Sequence, residues 1–127
     1  MLTRVDISHN EFDGSIPSML LQMTGLEYAD LSFNNFEGTF LDKTQMPMIH
    51  FLSLESNSLT GTFPIDSMTV PLLEHLNLRE NSFEGTLPSH LPFPQMHHFD
   101  IFHNNFKGNI PSWVLESIKD SDVSNNR

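Results

Sequence analysis

Six asparagines set the terms on which this chain can fold. Asn10, Asn34, Asn57, Asn81, Asn104 and Asn126 follow one another at spacings of 24, 23, 24, 23 and 22 residues, and their surroundings repeat with them. Apolar residues stand eight, five and three positions before each of the first five: Leu2, Val5, Ile7; Leu26, Ala29, Leu31; Ile49, Leu52, Leu54; Leu73, Leu76, Leu78; Met96, Phe99, Ile101. Two positions after it come Phe12, Phe36, Leu59, Phe83 and Phe106. Four after it come Gly14, Gly38, Gly61, Gly85 and Gly108, five of the six glycines in the chain. A sequence with this period is a stack of coils, none of which can close a core by itself.

The residue types follow from that geometry. Apolar side chains two apart share one face of a strand while their neighbours point outward, so stacked strands make a parallel sheet with the intervening residues as crossovers. An Asn placed just after the strand is costly to bury unless its amide is bonded. It can pair with turn backbone groups and run through the stack as a ladder. The residue two later, usually Phe, fills the interior, and Gly then permits a turn that a side chain would obstruct.

In one line the pattern is LxxLxLxxNxLxGxIP, which resembles the plant-type leucine-rich repeat. The resemblance covers nearly all 127 residues as one domain, with repeats of about 2–25, 26–48, 49–72, 73–95 and 96–117 and a partial sixth at 118–127. It implies an α/β right-handed solenoid with a parallel sheet on the concave face, short second strands, and 3₁₀ or short helical turns on the convex side. The stretches "PSMLLQM" (17–23) and "PSWVLES" (111–117), each opening with Pro, suit those turns.

Two repeats depart from the pattern. Leu41 replaces the usual Pro and Ala29 a larger residue, so the second repeat is expected to bend or pack loosely; Ser121 at an inward position predicts fraying in the sixth. Neither end carries a polar cap, and family members close theirs with cysteine-containing segments. The chain is therefore expected to be a segment of a longer solenoid, with end-to-end self-association through uncapped strands as the alternative.

Charge and composition narrow the partners. A formal net charge of -10 argues against nucleic acid and anionic membranes. No apolar run is long enough to span a bilayer, so direct membrane insertion by this segment is not expected, and "MLTRVDISHN" lacks the core of a secretory signal. Without Cys there is no disulfide framework or thiolate site.

Recognition should then rest on the outward strand positions, which form columns across the repeats. The first column reads Arg4, Tyr28, Phe51, His75, His98, Asp120; the second Asp6, Asp30, Ser53, Asn77, Asp100, Asp122; the third Ser8, Ser32, Glu55, Arg79, Phe102, Ser124. At the strand exit stand His9, Phe33, Ser56, Glu80, His103 and Asn125. Tyr28, Phe51, His75 and His98 make a strip of rings across four strands, an arrangement common in binding hot spots. The candidate ligand-binding set is Tyr28, Phe33, Phe51, His75, Arg79, His98, Asp100, Phe102 and His103.

Other chemistry is weaker. Acids near His75 and His98 are expected to hold them charged near neutral pH, giving pH-dependent binding. The same histidines with Asp100 and Asp120 outline a metal site, set aside because Asp is ordinary between the inward residues. Glu55 and Arg79 should form an exposed ion pair. The ladder Ser15, Thr39, Thr62, Thr86, Asn109 is a weak match to ice-binding arrays, because the residue before each Gly is mixed and often charged. No nucleophile elbow, phosphate loop or HExxH occurs, so catalysis and cofactors are not expected.

The family resemblance implies a protein- or peptide-binding module of receptor-like proteins or receptor-like kinases, at the cell surface or outside the cell. The alternatives are an inhibitor resembling those of cell-wall polygalacturonases, and a structural spacer.

Overall fold

A computed structural model describes all 127 residues. Each coil contributes two short strands. The first of each pair are β1 (Arg4–Asp6), β3 (Tyr28–Asp30), β5 (Phe51–Ser53), β7 (His75–Asn77), β9 (His98–Asp100) and β11 (Asp120–Asp122), and they line up in that order as one six-stranded parallel sheet. The second are β2 (Asp13–Gly14), β4 (Asn35–Thr39), β6 (Ser58–Thr62), β8 (Ser82–Gly85) and β10 (Asn105–Phe106), which form a five-stranded parallel sheet. Helix is confined to a 3₁₀ turn at Leu20–Gln22 and α1 (Ser112–Glu116), inside the two Pro-led stretches.

The inward positions close a continuous core. Leu26, Leu31, Ile49, Leu52, Leu54, Leu73, Leu76 and Leu78 are inaccessible to solvent, and Phe36, Leu59, Phe83 and Phe106 pack behind the asparagines. Phe12 in the first coil is the exception at 49% exposed. The second repeat is not loose: Ala29 is fully buried, and Leu41 packs against the core. Nor does the sixth strand fray. β11 pairs with β9 through all three residues, Asp120 with His98, Ser121 with Phe99 and Asp122 with Asp100. Backbone pairing holds it although Ser121 adds no apolar contact.

The asparagines join each coil to its predecessor. Asn81 Nδ2 donates to the carbonyl of Leu54 one coil back (2.8 Å) and to Leu78 and Arg79 in its own, while its Oδ1 accepts the amide of Leu59 (3.0 Å). Asn34, Asn57, Asn104 and Asn126 repeat that pattern. Asn10, in the first coil, bonds only within its own turn.

The two sheets differ in register. In the six-stranded sheet equivalent residues are partners, so the columns run straight. The five-stranded sheet is staggered: Thr39 pairs with Thr60 and Thr62 with Glu84. The hydroxyls after each Gly therefore do not form the straight ladder expected of them. Instead the Thr methyl of one coil packs where the next coil has Gly. At Gly61, with φ of 78°, a Cβ would lie 2.9 Å from Thr39 Cγ2, so both the backbone and the neighbour require glycine there.

Candidate functional site

The six-stranded sheet presents its columns as predicted, and packs them more tightly than a row of exposed rings would. Tyr28 stacks on Phe51 (centroids 4.3 Å, planes 8° apart), Phe51 on His75 (4.2 Å, 16°), and His75 on His98 (4.1 Å, 5°). The Arg4 guanidinium covers the outer face of Tyr28 at 3.5 Å, and Asp120 bonds His98 Nδ1 at 2.8 Å. The faces of the inner rings are consumed by each other, leaving mostly edges outward. Register explains this: parallel strands about 4.8 Å apart set flat side chains at stacking distance, and each pair adds about 0.5–1.5 kcal/mol.

Burial in that stack changes the chemistry of His75. Desolvation, and then the neighbouring His98, lower its pKa to about 4, against the weaker raising effect of Asp30 and Asp120. His75 is thus neutral near pH 7, which corrects the expectation that nearby acids keep it charged. The carboxylates are too few and too solvated to offset what the imidazole loses between two rings.

The second column is built from turns. In four repeats an Asp accepts the amide of the residue two later through Oδ1: Asp6 from Ser8, Asp30 from Ser32, Asp100 from Phe102 and Asp122 from Ser124. The hydroxyls of Ser8 and Ser124, and then these amide bonds, hold Asp6 and Asp122 below the usual carboxylate range. Asn77 serves identically, its Oδ1 accepting the amide of Arg79 at 3.0 Å.

Arg79 is the hub of the third column. Its guanidinium lies 4.0 Å over the Phe102 ring and within 3.4–3.8 Å of Glu80, Glu55, Asp100 and Asp122. The predicted Glu55 pair is one of four. Asp100, 92% buried, thus faces Arg79 and not the histidines, and no three His, Asp or Glu side chains converge where one ion could be held.

The exit column holds an unforeseen feature. His9, Phe33, Ser56, Glu80, His103 and Asn125 all adopt φ of 51–55°, the left-handed region, although none is Gly. This backbone turns the chain into the Asn ladder. Phe33 stacks on His9 at 4.4 Å, Ser56 Oγ donates to Glu80 at 2.9 Å, and His103 lies beside Phe102 on a polar notch that Glu80, Asn57 and Ser82 also line.

The predicted residues thus form three groups: Tyr28, Phe51, His75 and His98 in the stack; Arg79, Asp100 and Phe102 at the hub; Phe33 and His103 at the exit. Arg4, Asp30, Glu55, Asp120 and Asp122 belong with them. Their signal was membership of the same columns.

A family model described as Leucine Rich Repeat matches residues 1–23 and 72–93. Among curated proteins the chain is similar to the receptor-like protein kinase HAIKU2 of Arabidopsis thaliana, 32% identical over 68 residues, 54% of this chain and 7% of that protein. It is also similar to the receptor-like protein CLAVATA2 of the same plant, 37% identical over 57 residues, 45% of this chain and 8% of that protein. The chain therefore spans less than a tenth of either. Among solved structures it resembles the leucine-rich-repeat ectodomain of the Arabidopsis receptor kinase HAESA, solved with an IDA peptide hormone ligand. That match has a TM-score of 0.89 and 32% identity, covering 99% of this chain and 22% of that one.

Proposed function

For a chain that belongs to the plant-type leucine-rich-repeat family, we propose a role as a receptor-like segment that recognises a protein or peptide on its six-stranded sheet, outside the cell or at its surface. The reading rests on one observation. The outward columns of that sheet are fixed before any partner arrives: stacked rings, turn-locked aspartates and a five-membered ion cluster around Arg79. A surface so ordered loses little side-chain entropy on binding. The ectodomain of HAESA, with the same fold, was solved with a peptide hormone, which supports peptide as the partner class.

The segment acts by binding, not by catalysis. No helix is long and apolar enough to cross a membrane. The test compares a partner's affinity for the native chain, for the Phe51→Ala/His98→Ala pair, and for Glu84→Arg on the five-stranded sheet. The paired change should weaken binding by about tenfold or more, as loss of hot-spot rings does, while Glu84→Arg leaves it unchanged. Equal affinity in all three contradicts recognition on this sheet.

A further inference from the structure

Among the serine hydroxyls of the outward columns, one has no partner. Ser8, Ser32 and Ser124 in the third column each donate to the Asp two residues before, and Ser56 at the exit donates to Glu80. Ser53, in the second column, makes no side-chain hydrogen bond within the chain, yet it is only 3% exposed. No side-chain nitrogen or oxygen is both enclosed and unpaired, so the sliver of Ser53 left open includes Oγ. A hydroxyl sunk in the sheet surface in this way is reachable by the tip of a partner's side chain.

Its surroundings follow from register. Ser53 pairs with Asp30 on one side and Asn77 on the other, and it is the one short side chain of a column that otherwise holds Asp or Asn. Phe51 and Glu55, two residues away in each direction, share its face of the sheet. The column neighbours are held by their turns. Asp30 Oδ1 accepts the amide and hydroxyl of Ser32; Asn77 Oδ1 accepts the Arg79 amide, and its Nδ2 donates to Glu55 at 2.8 Å. Each keeps one unused polar function: Oδ2 of Asp30, an acceptor, and the second hydrogen on Nδ2 of Asn77, a donor. Ser53 is thus the floor of a narrow gap between two fixed polar side chains.

We propose that this gap takes the side-chain carboxamide of an Asn or Gln in a peptide partner, its carbonyl oxygen accepting from the Ser53 hydroxyl. The inference rests on the peptide-recognition reading and specifies one contact of that partner. Donor and acceptor types select the group. A carboxamide can accept from Ser53 and Asn77 and donate to Asp30. A carboxylate can only accept, against the charge of Asp30; an ammonium or guanidinium can only donate, which leaves the Asn77 hydrogen unmatched.

The full chain can be used to select binders from a library of random displayed peptides, and their affinities compared on it and on Ser53→Ala. The hydroxyl bonds nothing within the chain, so the variant should melt as the native chain does; a clearly lower melting temperature would make Ser53 structural and overturn the inference. Selected peptides should share an Asn or Gln. Exchanging that residue for Ala should weaken binding to the native chain by about three- to tenfold, and by much less on Ser53→Ala. Exchange for Asp or Lys should weaken native binding at least as much. Binders without a shared carboxamide, or an equal loss on both proteins, as a hydroxyl bonded only to water would give, would overturn the inference and leave peptide recognition standing. A library that yields no binder would overturn both.

Discussion

His75 and His98 lie with ring centroids 4.1 Å apart and planes 5° from parallel, and only His98 has a carboxylate bonded to it. A proton on His75 would therefore sit between two rings and against a second imidazole.

Stability should fall with acidification as a result. Unfolded, His75 binds a proton near its ordinary pKa of 6.5; folded, only near 4. The unfolded chain binds more protons between these values, so stability declines as pH drops from about 6.5 to about 4, and His75 contributes no slope above or below. The depressed carboxylates of Asp6 and Asp122, and that of Asp42, which the Ser67 hydroxyl and then the Lys43 amide hold low, act through a lower range, below the usual carboxylate pKa. Thermal melts across pH 7 to 4.5 should show the decline, and His75→Phe, which keeps a ring in the stack, should flatten it. An unchanged slope in that variant would refute the assignment.

Asn81→Ala should be among the most damaging single changes. It strands the buried amide of Leu59, and takes one of two bonds from the carbonyls of Leu54 and Leu78, which keep Asn57 and Asn104 as donors. At about 1–3 kcal/mol for a stranded group, the cost should be about 2 kcal/mol or more. Asn10→Ala, which severs no bond to another coil, should cost less than about 1 kcal/mol. Urea unfolding of both variants checks the contrast.

Gly61→Ala should destabilise more than Gly14→Ala. Both glycines have φ above 70°, but a Cβ at Gly61 meets Thr39 Cγ2 at 2.9 Å whereas Gly14 has open space. Backbone strain of about 1 kcal/mol is common to both; the clash is not. Adding Thr39→Ser should recover part of the loss at Gly61 and none at Gly14, as read from melting temperatures.

Arg79→Met should unfold more readily at low salt. It leaves Glu55, Glu80, Asp100 and Asp122 facing one another without a cation. The half-exposed cluster makes the loss modest, about 1–2 kcal/mol, and added salt should screen much of it. A salt-independent deficit would assign the role of Arg79 to packing on Phe102.

Much of this architecture was legible because the repeat fixes register. Once Tyr28, Phe51, His75 and His98 hold the same position in successive coils, parallel pairing must bring them together, and it does. The limits came from what periodicity does not encode. Ala29 packs tightly because neighbouring coils close over it, and Ser121 stays in β11 because backbone pairing suffices. The left-handed turn is filled by His, Phe, Ser, Glu or Asn, so its residue types gave no sign of it. The stagger of the five-stranded sheet separates Thr62 from its counterparts, and a repeat spacing alone does not contain it. The depressed pKa of His75 depends on how completely two rings cover it, a distance no spacing contains.

The most direct test of the central claim is the footprint of a selected peptide on the chain, read from backbone amide NMR shifts. Recognition on the six-stranded sheet predicts changes concentrated in β3, β5, β7 and β9 and in the exit residues Phe33, Ser56 and Glu80. A footprint on the five-stranded sheet, or on the convex turns around Leu20–Gln22 and α1, would contradict it.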